Sequence, residues 1–240
     1  MRDDVMPRRA FLVGAGAAGS TIAARLASGE TVATPGPDVR SAAALPSAEP
    51  EALLALNPTE AAFWSAVVDT LIPADDMSPS GSDCGVVIFI DRQLASAWGG
   101  GDKMYRSGPF HSGIPEQGYQ LPLSPRDYFA AGVVAANDWS RSAYGRNFDR
   151  LSADERIAAL EAMEQGRAQF AELDARAFFD RLLEITMEGF FSDPIYGGNR
   201  NKVSWQMIGF PGLPATYANV VDEYVNKRYV AAPQSIADFL

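Results

Sequence analysis

From Asn57 onward the chain is punctuated by helix start signals, and that punctuation leaves little room for a sheet. "NPTEAAFWSAVVDTLIP" opens with Asn57 at the N-cap, Pro58 at the first helical position and Glu60 three residues after the cap. Such a trio satisfies amide groups that a helix leaves orphaned at its N-terminus. Phe63, Trp64, Val67, Val68, Leu71 and Ile72 then recur at helical spacing, and Pro73 stops the run. The pattern returns at Ser124-Pro125-x-Asp127, closed by Gly145, and at Ser152-x-x-Glu155, closed by Gly166. "DARAFFDRLLEITMEGFF" predicts another helix with Phe178, Phe179, Leu182, Leu183 and Ile185 inward. Residues 215–228 predict a last one, with Tyr217, Val220, Val221, Tyr224 and Val225 as its apolar side. The run "CGVVIFIDRQLASAW" has the composition of a buried strand. A helix is preferred there, because Asp83 can cap it and the pattern continues through Arg92, Gln93 and Leu94. The expected fold is therefore all-α, a compact multi-helix domain of about six helices with long irregular loops and no internal repeat.

Residues that carry chemistry are scarce. The 240-residue chain has one cysteine and one histidine. No intrachain disulfide can form, and zinc or iron–sulfur sites need several such ligands. Acid–base chemistry on histidine would rest on His111 alone, which sits in "SGPFHSGIP" without a nucleophile motif and reads as a loop residue. Cys84 is open to two readings: a buried thiol at the start of a helix, or a bridge to a partner subunit in an oxidising compartment. Asp75, Asp76 and Asp83 surround a Ser/Gly turn but lack the calcium-loop pattern, so capping is the expected role. A formal charge of −10 repels phosphate backbones and argues against nucleic-acid binding. Past the N-terminal segment no apolar run reaches about 18 residues, so no membrane-spanning helix is expected.

The N-terminus poses its own question. "FLVGAGAAGSTIAARL" contains G-x-G-x-x-G at Gly14, Gly16 and Gly19. A dinucleotide loop needs a strand before it, a helix after it and a second strand ending in an acidic residue. Only Phe11, Leu12 and Val13 precede the glycines, and the residues after Leu26 are rich in Pro, Ser, Ala and Gly. The export reading fits better. Arg8, Arg9, Phe11 and Leu12 form R-R-x-F-L, the core of a twin-arginine signal, followed by an apolar Gly/Ala segment and small residues at Ala42-Ala43-Ala44. Arg25 near the end of the apolar stretch is the weak point. The expected organisation is a signal and leader tail over 1–44, a linker over 45–56 and a helical domain over 57–240.

The segment "FFSDPIYGGNRNKVSWQMIGFPG" (190–212) is read as non-helical. It sets Tyr196, Trp205 and Phe210 among glycines, with Arg200 and Lys202 adding positive charge. Tyr, Trp and Arg dominate many protein–protein contacts. A loop folded on its own domain and a contact surface are both open readings. Together with the helix ending Leu71-Ile72-Pro73-Ala74-Asp75 and the Gly85, Phe89-Ile90-Asp91 pattern, this segment resembles the gluconate 2-dehydrogenase subunit 3 (gamma subunit) family over about Asn57 to Tyr229. The Asp193-Pro194-x-Tyr196-Gly197-Gly198-Asn199 turn, leading to Trp205, Gly209 and Pro211, carries most of the likeness.

That resemblance implies a non-catalytic small subunit, with no catalytic, cofactor-binding or metal-binding residues of its own. FAD would sit in a large dehydrogenase subunit oxidising gluconate or a related sugar acid, and haem in a multihaem cytochrome c. The small subunit would escort the flavoprotein through twin-arginine export to the periplasm and stabilise it there, reaching the membrane only through its partners. Asp193, Tyr196, Asn199, Arg200, Trp205 and Phe210 are the expected partner interface. Two alternatives stand beside this one: an FAD-binding oxidoreductase using Gly14, Gly16 and Gly19, and a stand-alone exported helical binding protein.

Overall fold

The computed structural model describes residues 52–240, apart from Ser112, Pro115, Glu116 and Ala215. The export motif Arg8, Arg9, Phe11 and Leu12 and the glycines at 14, 16 and 19 lie outside the described residues. Among the described residues seven α-helices follow in order: α1 (Pro58–Leu71), α2 (Val86–Ala95), α3 (Ala97–Gly100), α4 (Pro125–Tyr144), α5 (Ala153–Glu164), α6 (Ala175–Phe191) and α7 (Val203–Ile208). No strand occurs among the described residues, so the fold is all-α, as the helix signals predict.

Those signals act where they were read. Asn57 Oδ1 accepts the amides of Thr59 and Glu60, and Glu60 reaches back to the Asn57 amide. Ser152 and Glu155 make the same reciprocal cap on α5. Ser124 caps α4, and Gly145 ends it in the left-handed region. The inward stripes of α1, α4 and α6 meet in an aromatic core. Phe63, Trp64, Tyr128, Phe148 and Phe178 are essentially inaccessible to solvent. Trp64 meets the edge of Phe129 at 5.4 Å, and Phe63 packs on Phe148 at 5.2 Å. Such pairs stabilise beyond the area they bury, by about 1 kcal/mol each.

Three expectations need correction. Asp83 does not cap α2. It lies in the preceding turn, accepting from Ser80 Oγ, while Gly85 at φ 83° is the N-cap. Residues 218–226 form successive turns and not a helix. Val221 and Val225, given an inward role, are more than half exposed, so no packing rewards the nucleation cost of a short helix. The turns are held by Tyr229, whose ring meets those of Tyr217 and Tyr224 edge-on. Finally, residues 203–208, inside the segment read as non-helical, form α7.

The domain also begins earlier than Asn57. Asp91, on α2 and 1% exposed, accepts the backbone amides of Leu54, Ala55 and Leu56 at 2.8–2.9 Å. Three residues assigned to the linker are thus tied to the second helix. None of the helices among the described residues is long and apolar enough to cross a membrane.

Candidate functional site

A helix that ends inside a fold leaves its last carbonyls without amide partners. At the C-terminus of α6 those carbonyls are met one by one from the loop that follows. Ser192 Oγ donates to the Gly189 carbonyl at 3.0 Å. The Trp205 indole N–H donates to Phe191 at 2.9 Å. Asn199 Nδ2 donates to Ser192 at 2.9 Å. To make these bonds the loop must press its backbone onto the helix end. A Cβ on Gly198 would stand 2.1 Å from the Gly189 oxygen, so only glycine fits there.

The same loop supplies the start of α7. Lys202, its N-cap residue, sits at φ 58° and provides no capping side chain. Asn199 supplies the acceptor instead: its Oδ1 takes the Ser204 amide at 2.9 Å and the Ser204 hydroxyl at 2.7 Å. Asn199 is fully buried and adopts φ 46°, a left-handed conformation asparagine tolerates better than most residues. One side chain therefore joins the end of α6 to the beginning of α7. The Arg200 amide donates to the Cys84 carbonyl at 2.9 Å, which fastens the loop to the turn before α2. A Cβ on Gly85 would collide with the Gly197 carbonyl at 2.3 Å, and Gly197 itself sits at φ 102°, so glycines are required on both sides of that junction.

The six residues expected at a partner interface divide in two. Asn199 and Trp205 face inward, and Asp193 is spent on backbone amides, accepting from Ile195 and Ile236. Arg200 is half-buried. Tyr196 and Phe210 remain in solvent, 51% and 41% exposed, with Ile195 and Ile208 exposed on the same segment. Phe210 is nevertheless fixed, its ring edge-on to Trp205 at 5.1 Å. The result is a backbone locked from beneath that holds aromatic side chains outward, an arrangement suited to contact.

Sequence reasoning missed the C-terminal segment that closes over this loop. Leu213 donates to the Gln234 carbonyl, and Gln234 donates to that of Pro211. Asp193 takes the Ile236 amide at 2.9 Å, and Lys202 Nζ pairs with Asp238 at 2.6 Å. Lys202 is therefore neutralised and adds no net charge to the surface. No local pattern joins residues 202 and 238; only the fold does. The Lys202 ammonium and the Ser235 amide and hydroxyl hold the Asp238 carboxyl down to about 2. Its folded value is depressed, so the clasp is complete above the ordinary carboxylate range and is lost as pH falls toward 2. In an NMR titration the Ser235 amide is expected to move with that low midpoint, and Lys202→Met should raise it. An unshifted, ordinary carboxylate midpoint in the parent chain would refute the clasp.

Cys84 is 1% exposed, its sulfur 3.6 Å from the Pro79 carbonyl. A bridge to another chain would require this turn to open. Asp75 accepts the Met77 and Ser78 amides, a turn-forming role, and no group of three metal-ligating side chains occurs among the described residues. His111 is exposed.

What the fold and the loop define is an all-α domain with a rigid, glycine-seated turn that displays aromatic side chains. The family model described as gluconate 2-dehydrogenase subunit 3 matches residues 58–212, well over half the chain, and the chain belongs to that family. It is by that membership an accessory subunit of a multi-subunit dehydrogenase complex. The matched region ends at Gly212, so the clasping segment 234–240 lies beyond it. No curated protein and no solved structure matches the chain.

Proposed function

We propose that this chain is the non-catalytic small subunit of a periplasmic flavoprotein dehydrogenase acting on gluconate or a related sugar acid. The large subunit carries FAD and the substrate pocket, and a multihaem cytochrome c takes the electrons. The chain's own task is to escort the large subunit through the twin-arginine pathway, using Arg8 and Arg9, and to stabilise it afterwards. The observation that carries this reading is the family match across 58–212, joined to a loop whose inner residues lock it and whose Tyr196 and Phe210 face outward. Aromatic anchors on a rigid backbone lose little entropy on docking.

Two measurements test it. Arg8→Lys with Arg9→Lys should leave the large subunit in the cytoplasm, seen by fractionation and flavin absorbance; normal export would overturn the escort role. Tyr196→Ala with Phe210→Ala should leave the fold intact and weaken capture of the flavoprotein from native membranes by about 30-fold, as hot-spot losses of about 2 kcal/mol imply. Flavin retained by the isolated mature chain would overturn the non-catalytic assignment.

A further inference from the structure

A concavity with no lining residue from the 193–212 loop lies between α3, α4, α6 and the irregular stretch before α4. Its volume is about 280 Å³. Trp98, Met104 and Tyr119 form its walls, and Phe129 and Ile185 are buried in its floor. The walls are fixed in place. The Tyr119 ring lies parallel to Tyr128 with centroids 3.9 Å apart, and its hydroxyl donates to the Leu123 carbonyl. Ser96 caps the turn that carries Trp98, whose side chain is 45% exposed.

One side of this aromatic cleft is charged. Glu184 and Glu188 stand one turn apart on α6 and share a face. Arg181 also lines the cleft and is ion-paired with Glu184 at 2.6 Å, which leaves one carboxylate in excess. Burial, and then the charge of Glu184, push the Glu188 carboxyl above its ordinary range, so a cation arriving there would relieve an existing repulsion. An anion meets the opposite field, in a chain of net charge −10. Aromatic faces beside a carboxylate are the setting in which guanidinium and alkylammonium groups bind, the charge on the carboxylate and the stem on the rings.

We propose that this cleft binds an organic cation of the guanidinium or alkylammonium class, its stem between Trp98 and Tyr119 and its charge at Glu188. The site is separate from the loop assigned to the dehydrogenase partner, and its test requires no partner.

The purified full chain is titrated by two-dimensional NMR with N-acetyl-L-arginine amide, with its neutral citrulline counterpart and with spermidine. Shifts are expected at Trp98, Tyr119 and residues 184–188 with a cation and not with citrulline. Glu188→Gln should weaken binding at least tenfold, while Tyr196→Ala leaves it unchanged. Selective binding by either cation supports the site, and the tighter of the two tells a polypeptide side chain from a free polyamine. Equal response to citrulline, shifts scattered over the surface, or undiminished binding in Glu188→Gln would overturn it.

Discussion

Asn199→Ala is expected to destabilise the domain by about 3 kcal/mol and to abolish capture of the proposed flavoprotein partner. The substitution removes three hydrogen bonds and strands two buried donors, the Ser204 amide and hydroxyl, each of which costs about 1–3 kcal/mol when unpaired. Alanine at φ 46° adds backbone strain of about 1 kcal/mol. Two further variants separate these causes. Asn199→Gly relieves the backbone but keeps the lost bonds. Asn199→Asp keeps an acceptor for Ser204 and sets a carboxylate oxygen against the Ser192 carbonyl, where a donor stood. Thermal unfolding should rank them Asp and Ala as most damaging, with Gly slightly milder. A change in Tm of under 2 °C for Asn199→Ala would show that the loop does not depend on this side chain. If stability falls and capture survives, the outward aromatics dock without the lock, and the proposed link between loop rigidity and binding fails.

This loop also marks the boundary of what the sequence made legible. Helices with local start signals were readable, because a cap such as Asn57 or Ser152 lies within three residues of what it satisfies. The inward stripe of α6 was legible for the same reason, except Leu183, which is only partly buried. Asn199 caps α7 from five residues before Ser204, across two residues of positive φ, and no helix-start rule covers that spacing. The Gly197-Gly198-Asn199 motif is visible as a sequence feature, but not the division of labour within it: Asn199 and Trp205 serve helix ends, and Tyr196 and Phe210 reach solvent. The 215–228 stretch failed in the opposite direction. Its apolar spacing is real, but a periodic pattern gives a helix only where a surface is there to bury it, and here Val221 and Val225 stay in solvent. The clasp of residues 234–240 onto Asp193 and Lys202 depends on contacts some forty residues apart, which periodicity cannot express.

Asp91→Ala is expected to cost about 3 kcal/mol and to lower Tm by about 10 °C. A buried carboxylate on α2 accepts three consecutive backbone amides, from Leu54, Ala55 and Leu56, and charged acceptors make the stronger bonds. Removing it leaves three part-buried amides without their acceptor and detaches the chain where it enters the domain. Asp91→Asn keeps the shape but turns one acceptor atom into a donor, so it should fall between alanine and the parent. Hydrogen exchange localises the effect: the amides of residues 54–56 should lose protection first, while the core around Trp64 and Phe148 keeps its own. Retained protection at 54–56 in the alanine variant would refute the anchor. The same geometry limits where the proposed leader can be removed. A cut after Leu56 would discard all three donors and leave Asp91 buried without them, so the mature N-terminus is expected ahead of Leu54, and N-terminal sequencing of the exported chain reads that position directly. The residues just ahead of α1 are thus tied to the domain by a carboxylate that the sequence offers only as the last letter of the Phe89-Ile90-Asp91 pattern.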